Sequence, residues 1–187
     1  MDVLANKRRN VPKSKALHRY AFVISARNEE KVIGGLIDSL QQQDYPKELL
    51  DIFVVADNCT DNTASLCRNK GAHVYERFNR VQVGKGYALD YLFKQMKKDQ
   101  VFDDYDAFVI FDADNIVDKG YIRAMNDTFS MGYRAITSYR NSKNYESNWI
   151  SAGYSLWFLR EAKYLNRLLY SSPSLRYKRQ PRMPSSA

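Results

Sequence analysis

Residues 105–115 read YDAFVIFDADN, an apolar run of strand length that ends in an Asp-x-Asp. A short, continuous apolar run bounded by polar residues is the pattern of a strand buried on both faces of a parallel sheet. Two runs of the same kind lie upstream, residues 20–25 (YAFVIS) and 51–56 (DIFVVA), with a shorter one at 72–75 and another at 134–139. Segments of helical period separate them. After the first run, Val32, Ile33, Leu36, Ile37 and Leu40 recur at helical spacing, with Asn28 as the expected N-cap and Pro46 just past the end. Thr60 or Asp61 can cap a helix through Asn69 that stops at Gly71. Further helices are predicted over 87–98 and from Asp118 to about Met131. This alternation predicts an α/β fold: a Rossmann-like, mainly parallel sheet with helices on both faces.

The outer parts of the chain differ in character from its middle. The net charge of +8 is concentrated in residues 1–20 and 160–187, which leaves the centre mildly acidic. The expected organisation is a basic N-terminal segment (1–19), an α/β domain (20–140), a helical segment (141–170) and a basic, disordered Ser/Pro-rich tail (171–187). Basic ends can meet an anionic membrane surface, or they can be solvated termini. The centre carries no nucleic-acid-binding module, which argues against a nucleic-acid partner. No run reaches the ~20 apolar residues of a membrane helix. Cys59 and Cys67 are too few for a disulfide framework or a four-thiolate zinc site.

Ligands of open parallel sheets bind outside the carboxyl ends of the strands, so the residues just after each run carry the chemistry. These are Ala26 to Glu30, Asp57 to Asp61 and Asp112 to Asn115. Asp112 and Asp114 can aim two carboxylates at a hard divalent ion, Mg²⁺ or Mn²⁺, or they can serve the turn and the next helix cap. Asp57 can form an Asx-turn or accept hydrogen bonds from a nucleobase or ribose. Gly84-Lys85-Gly86 allows close backbone approach and a cation for a diphosphate, but it is not a Walker A loop. His18 and His73 fit no metal-ligand spacing, and no G-x-S-x-G is present. Trp149, Tyr154, Trp157 and Phe158 suit either sugar stacking or helix packing.

In their order and spacing, AFVISARNEEKVIGGLIDSL, DIFVVADNCTDNTASLCRNKGAHVYER, GKGYALDYLF and YDAFVIFDADNIVDKGYI resemble glycosyltransferase family 2 over about residues 20–140. The nearest branch looks like the bacterial processive synthases similar to cellulose and hyaluronan synthases. The resemblance implies the nucleotide-diphospho-sugar transferase fold and an inverting, metal-dependent transfer. The donor would be a nucleotide-sugar, of UDP type, and the acceptor a polysaccharide or a lipid-linked acceptor. It places Ala26, Asn28 and Glu29 in the loop lining the nucleotide pocket, Asp57 on the base and Lys85 near the nucleotide. Asp112 and Asp114 then hold the metal (Mg²⁺ or Mn²⁺) and the donor diphosphate. Ser25-Ala26 stands where Pro-Ala is common. By the same resemblance, full-length relatives lie at the cytoplasmic side of the cell membrane.

The acceptor-side motif of that family is missing. Glu146 and Glu161 are the only carboxylates after Asp127, neither in a matching context, so no general base is assigned. The chain is expected to be a donor-binding portion truncated at its C-terminal side. The alternative to an enzyme is a nucleotide-sugar-binding module without turnover.

Overall fold

The computed structural model describes residues 11–133 and 135–136. Most of the expected strand at 134–139, the segment at 141–170 with Glu146, Glu161 and its aromatic group, and the 171–187 tail lie outside the described residues. So do residues 1–10.

Strands β1 (Tyr20–Ala26), β2 (Leu50–Asp57), β3 (His73–Arg77) and β4 (Ala107–Asp112) form one parallel sheet in the order β3-β2-β1-β4. Alternation along each strand splits the core into two layers. Tyr20, Phe22, Ile24 and Ala26 join Ile33, Leu36, Ile37 and Leu40 of helix α1 (Ile33–Gln41), Cys67 of α2 (Thr63–Asn69) and Ile122 of α4 (Tyr121–Phe129). Ala21 and Val23, with Phe53 and Val55, meet Ala88, Leu92 and Met96 of α3 (Lys85–Lys98) on the other face. Each large side chain so buried contributes ~1.5–3 kcal/mol. The expected α/β layering, helices on both faces of a parallel sheet, is what the chain adopts.

Several boundaries move, each for a tertiary reason. Asn28 does not cap α1. It takes a left-handed φ of 56°, which Asn tolerates, and its Oδ1 accepts the Thr60 N–H at 2.8 Å. The chain first turns on the Glu29 carbonyl, which accepts from Val32 and Ile33, so the helix begins at Ile33. Pairing with β2 carries β3 on to Arg77, opposite Asp57. Asp118 accepts the Gly120 N–H at 2.8 Å and delays α4 to Tyr121. The α2 end agrees with expectation: Asn69 is its last residue and Gly71 has a φ of 81°.

The described part of the basic N-terminal segment is mostly exposed but is tied to α4 by hydrogen bonds. Ser14 N–H donates to Asp127 Oδ1 at 2.9 Å, and Asn126 Nδ2 donates to the Ala16 carbonyl at 2.8 Å. Asn126, fully buried, also accepts at Oδ1 from the hydroxyls of Tyr20 (3.1 Å) and Tyr45 (2.9 Å) and from His18 N–H (3.2 Å). Among the described residues, no helix is long and apolar enough to cross a membrane.

Candidate functional site: the carboxyl edge of the sheet

Register and alternation place Arg77, Asp57, Ser25 and Asp112 at the carboxyl edge, on the face that α3 covers. Asp57 and Asp112 end strands separated only by β1, about 10 Å apart at the usual strand spacing. Helix α3 starts above this edge, and its first residue, Lys85, places Nζ against Asp112 Oδ1.

The Asp57 end is buried and rigid. Arg77 Nη1 donates to Asp57 Oδ1 at 2.6 Å, and both side chains are 5% exposed. Asn58 Nδ2 donates to the same oxygen at 3.1 Å, so among the described residues both donors sit on Oδ1. Arg77 Nη2 also donates to the Gln82 carbonyl at 2.7 Å, which ties the loop leading to Lys85 onto β3. Asn58, at a φ of 52°, exchanges bonds with Asn79: Asn79 N–H donates to Asn58 Oδ1 at 2.9 Å, and Asn58 Nδ2 to the Asn79 carbonyl at 3.0 Å.

The loop after β1 is knitted to the loop after β2. Besides the Asn28–Thr60 bond, Glu29 N–H donates to Thr63 Oγ1 at 2.9 Å, Glu30 N–H to Asp61 Oδ2 at 3.2 Å, and Asn62 N–H to Glu30 Oε2 at 2.9 Å. Ala26 is buried, so only its backbone reaches the edge; its carbonyl is 3.5 Å from Cys59 Sγ. Burial pushes the Cys59 thiol up, which disfavours a nucleophilic thiolate.

At the Asp112 end, Asn115 braces the turn, with Oδ1 accepting Asp112 N–H at 3.3 Å and Nδ2 donating to Asp114 Oδ1 at 3.2 Å. The following segment is held from α1 and the turn after it: Val117 N–H donates to Ser39 Oγ at 3.2 Å, Gln43 Nε2 to the Asp118 carbonyl at 2.8 Å, and Ile122 N–H to Gln43 Oε1 at 3.0 Å. Asp112 is partly exposed and Asp114 exposed. No group of three or more His, Cys, Asp or Glu able to cage a metal occurs among the described residues. Two adjacent carboxylates, one already facing a cation, fit an ion that completes its shell with phosphate and water rather than an all-protein cage.

The structure thus brings Asp57, Lys85, Asp112 and Asp114 to one edge, with the backbone of Ala26 between β2 and β4. Asn28 and Glu29 build the adjoining loop. Arg77 and Gln43 did not emerge from the sequence, since only strand register and the packing of the turn after α1 against the start of α4 reveal their partners. A cavity of about 240 Å³ lined by Phe22, Leu40, Lys47 and Ile52 lies toward the opposite end of the strands.

The family model described as glycosyltransferase-like family 2 matches residues 18–177. The chain belongs to this family. The matched residues run beyond the 20–140 stretch that carried the resemblance. Staphylococcus aureus 4,4'-diaponeurosporenoate glycosyltransferase is 41% identical over 73 residues, 37% of this chain and 19% of the relative. The chain therefore spans about a fifth of the curated relatives it matches. S. aureus TarS 1–349 in complex with UDP-GlcNAc is 19% identical, with a TM-score of 0.48, over 67% of this chain and 41% of that one. The mannosyltransferase PcManGT of Pyrobaculum calidifontis, in complex with GDP-Man and Mn²⁺, is 24% identical, with a TM-score of 0.43, over 55% and 29%.

Proposed function

We propose that this family 2 chain is the donor-binding portion of an inverting glycosyltransferase that takes a nucleoside diphosphate sugar, of UDP type, with Mg²⁺ or Mn²⁺. The acceptor is a hydroxyl on a polysaccharide or lipid-linked glycan, the class served by processive membrane synthases. The observation that carries this reading is the Lys85–Asp112 contact at the carboxyl edge, two strands from a buried, oriented Asp57.

In this reading Asp57 accepts the base N–H on Oδ2, because Arg77 and Asn58 already engage Oδ1. The knitted loop of Ala26, Asn28 and Glu29 borders the nucleotide. Asp112 and Asp114 hold the ion, and Lys85 adds a cation where negative charge develops on the leaving diphosphate. The ion supplies Lewis-acid stabilisation of that same charge. The proton of the attacking hydroxyl needs a general base, and the described residues assign none.

Titration of UDP in Mn²⁺ and then in excess chelator tests the donor site. Binding is expected with Mn²⁺ and largely lost with chelator. Asp114→Asn should weaken the Mn²⁺-dependent affinity by ~1–3 kcal/mol, the worth of a charge-assisted contact. Equal affinity with and without chelator would overturn the metal role, and no UDP binding at all would overturn the donor site.

A further inference from the structure

The Lys85–Asp112 pair joins the cation read as a diphosphate ligand to a carboxylate read as a metal ligand. Both cannot perform those tasks while they hold each other. We propose that Lys85 is an exchangeable counter-ion: it occupies Asp112 while the divalent ion is away and transfers to the diphosphate when metal and nucleotide arrive together. This rests on the donor-site reading above and adds how that site is loaded.

Three observations support the exchange. First, the pair is open to solvent, with side chains 44% and 41% exposed, in contrast to 5% and 5% for Arg77–Asp57. An exposed ion pair is screened and contributes little, so it is easily broken. Second, Lys85 sits between Gly84 and Gly86, and a Cβ added at either glycine would meet nothing within 4 Å among the described residues. The residues on either side therefore put no side chain of their own beside the long lysine stem. Third, Lys85 opens the 14-residue helix α3, and Ala88 N–H makes the first bond back, onto Gly84. The first-turn N–H groups lack intrahelical acceptors and favour an anion where the ammonium would move.

Electrostatics then set the order of events. A divalent ion approaching alone meets an ammonium already on Asp112 and must displace it without giving it a new partner. When the diphosphate comes with the ion, the displaced ammonium finds phosphate oxygens instead. Metal and nucleotide therefore favour each other's binding beyond their direct contact, and the coupling is reciprocal.

The test is Mn²⁺ binding by electron paramagnetic resonance, with and without UDP, for the wild-type chain, Lys85→Gln and Lys85→Arg, alongside UDP calorimetry in saturating Mn²⁺. Lys85→Gln should bind Mn²⁺ alone ~2–5-fold more tightly, because the Lys85 ammonium no longer has to be displaced. The same variant should bind UDP in Mn²⁺ about ten-fold more weakly, and its metal–nucleotide coupling should fall. Lys85→Arg keeps the charge and should track the wild type in the metal-alone measurement. Unchanged or weaker Mn²⁺ binding by Lys85→Gln overturns the exchange even if UDP binding suffers. If the wild type binds Mn²⁺ but no UDP, the donor-site reading fails, and the metal-alone comparison still decides whether Lys85 competes for Asp112.

Discussion

Arg77→Met removes the only cation that the described residues place within the buried Asp57 cluster and leaves the carboxylate almost as desolvated as before, since both side chains are 5% exposed. Breaking one side of such a pair costs ~3–5 kcal/mol, because the remaining charge is uncompensated. The lost bond to the Gln82 carbonyl falls within that range. Against a typical domain stability of ~5–15 kcal/mol, this is a large fraction. With a urea m-value of ~1–3 kcal/mol/M, the unfolding midpoint should drop by on the order of 2 M. The decisive measurement is a double-mutant cycle with Asp57→Asn, which removes the stranded charge at nearly constant volume. The double variant should be more stable than Arg77→Met alone, with a coupling of at least ~2 kcal/mol. Additivity within ~0.5 kcal/mol would mean the two side chains do not depend on each other, and the account of this cluster would be wrong.

Asn126→Leu fills similar space but strands the buried Tyr20 hydroxyl, while Tyr45 keeps its bond to the His18 carbonyl, so stability should fall by ~1–3 kcal/mol in thermal or urea melts; a loss below ~0.5 kcal/mol would show that the hub is dispensable. Alkaline pH should also destabilise the fold. Burial pushes the Cys67 thiol from 9.0 up to about 11, and burial followed by the bond to Asp99 pushes Tyr75 from 10.0 up to about 12. Raised folded values mean these contributions are complete below the unfolded values and are lost as pH rises, from about 9 to 11 for Cys67 and from about 10 to 12 for Tyr75. Cys67→Ala should remove the lower limb of the decline, whereas flat stability between pH 8.5 and 11 would refute both assignments.

What the sequence made legible follows from which forces are local. Residues 20–25, 51–56 and 105–111 announce themselves because a strand buried on both faces must be apolar throughout, and the carboxyl-end rule then selects Asp57, Asp112 and Asp114. Gly71 ends α2 because a left-handed C′ position favours glycine. Asn28 misled for the opposite reason. Its composition suits a cap, but the Thr60 N–H across the neighbouring loop is the partner it takes. Arg77 reads as one more charge in a polar stretch until the β2–β3 register sets it opposite Asp57. Gln43 and Asn126 were silent as well, because the bonds by which they hold distant segments close across 75–110 positions of chain and carry no local signature.

The two ends of the site differ in how much it costs to rearrange them, and this asymmetry orders their roles. At the Asp57 end the ions are matched, buried and cross-braced through Asn58, Asn79 and Gln82, so a ligand that displaced Arg77 would leave a charge stranded in low dielectric. That end can recognise only by adding a contact to the remaining oxygen, which suits selection of a base by a fixed hydrogen-bond pattern. At the Asp112 end the Lys85–Asp112 pair lies open to solvent, where partners exchange at little cost. In the proposed reading a divalent ion and a diphosphate come to that turn together, so loading it exchanges one set of ion contacts for another. The Arg77–Gln82 bond links the two regimes: it hangs the loop that delivers Lys85 from the same guanidinium that orients Asp57. In the proposed reading base selection and diphosphate binding are thereby referenced to one point on β3, and disturbing Arg77 should disturb both.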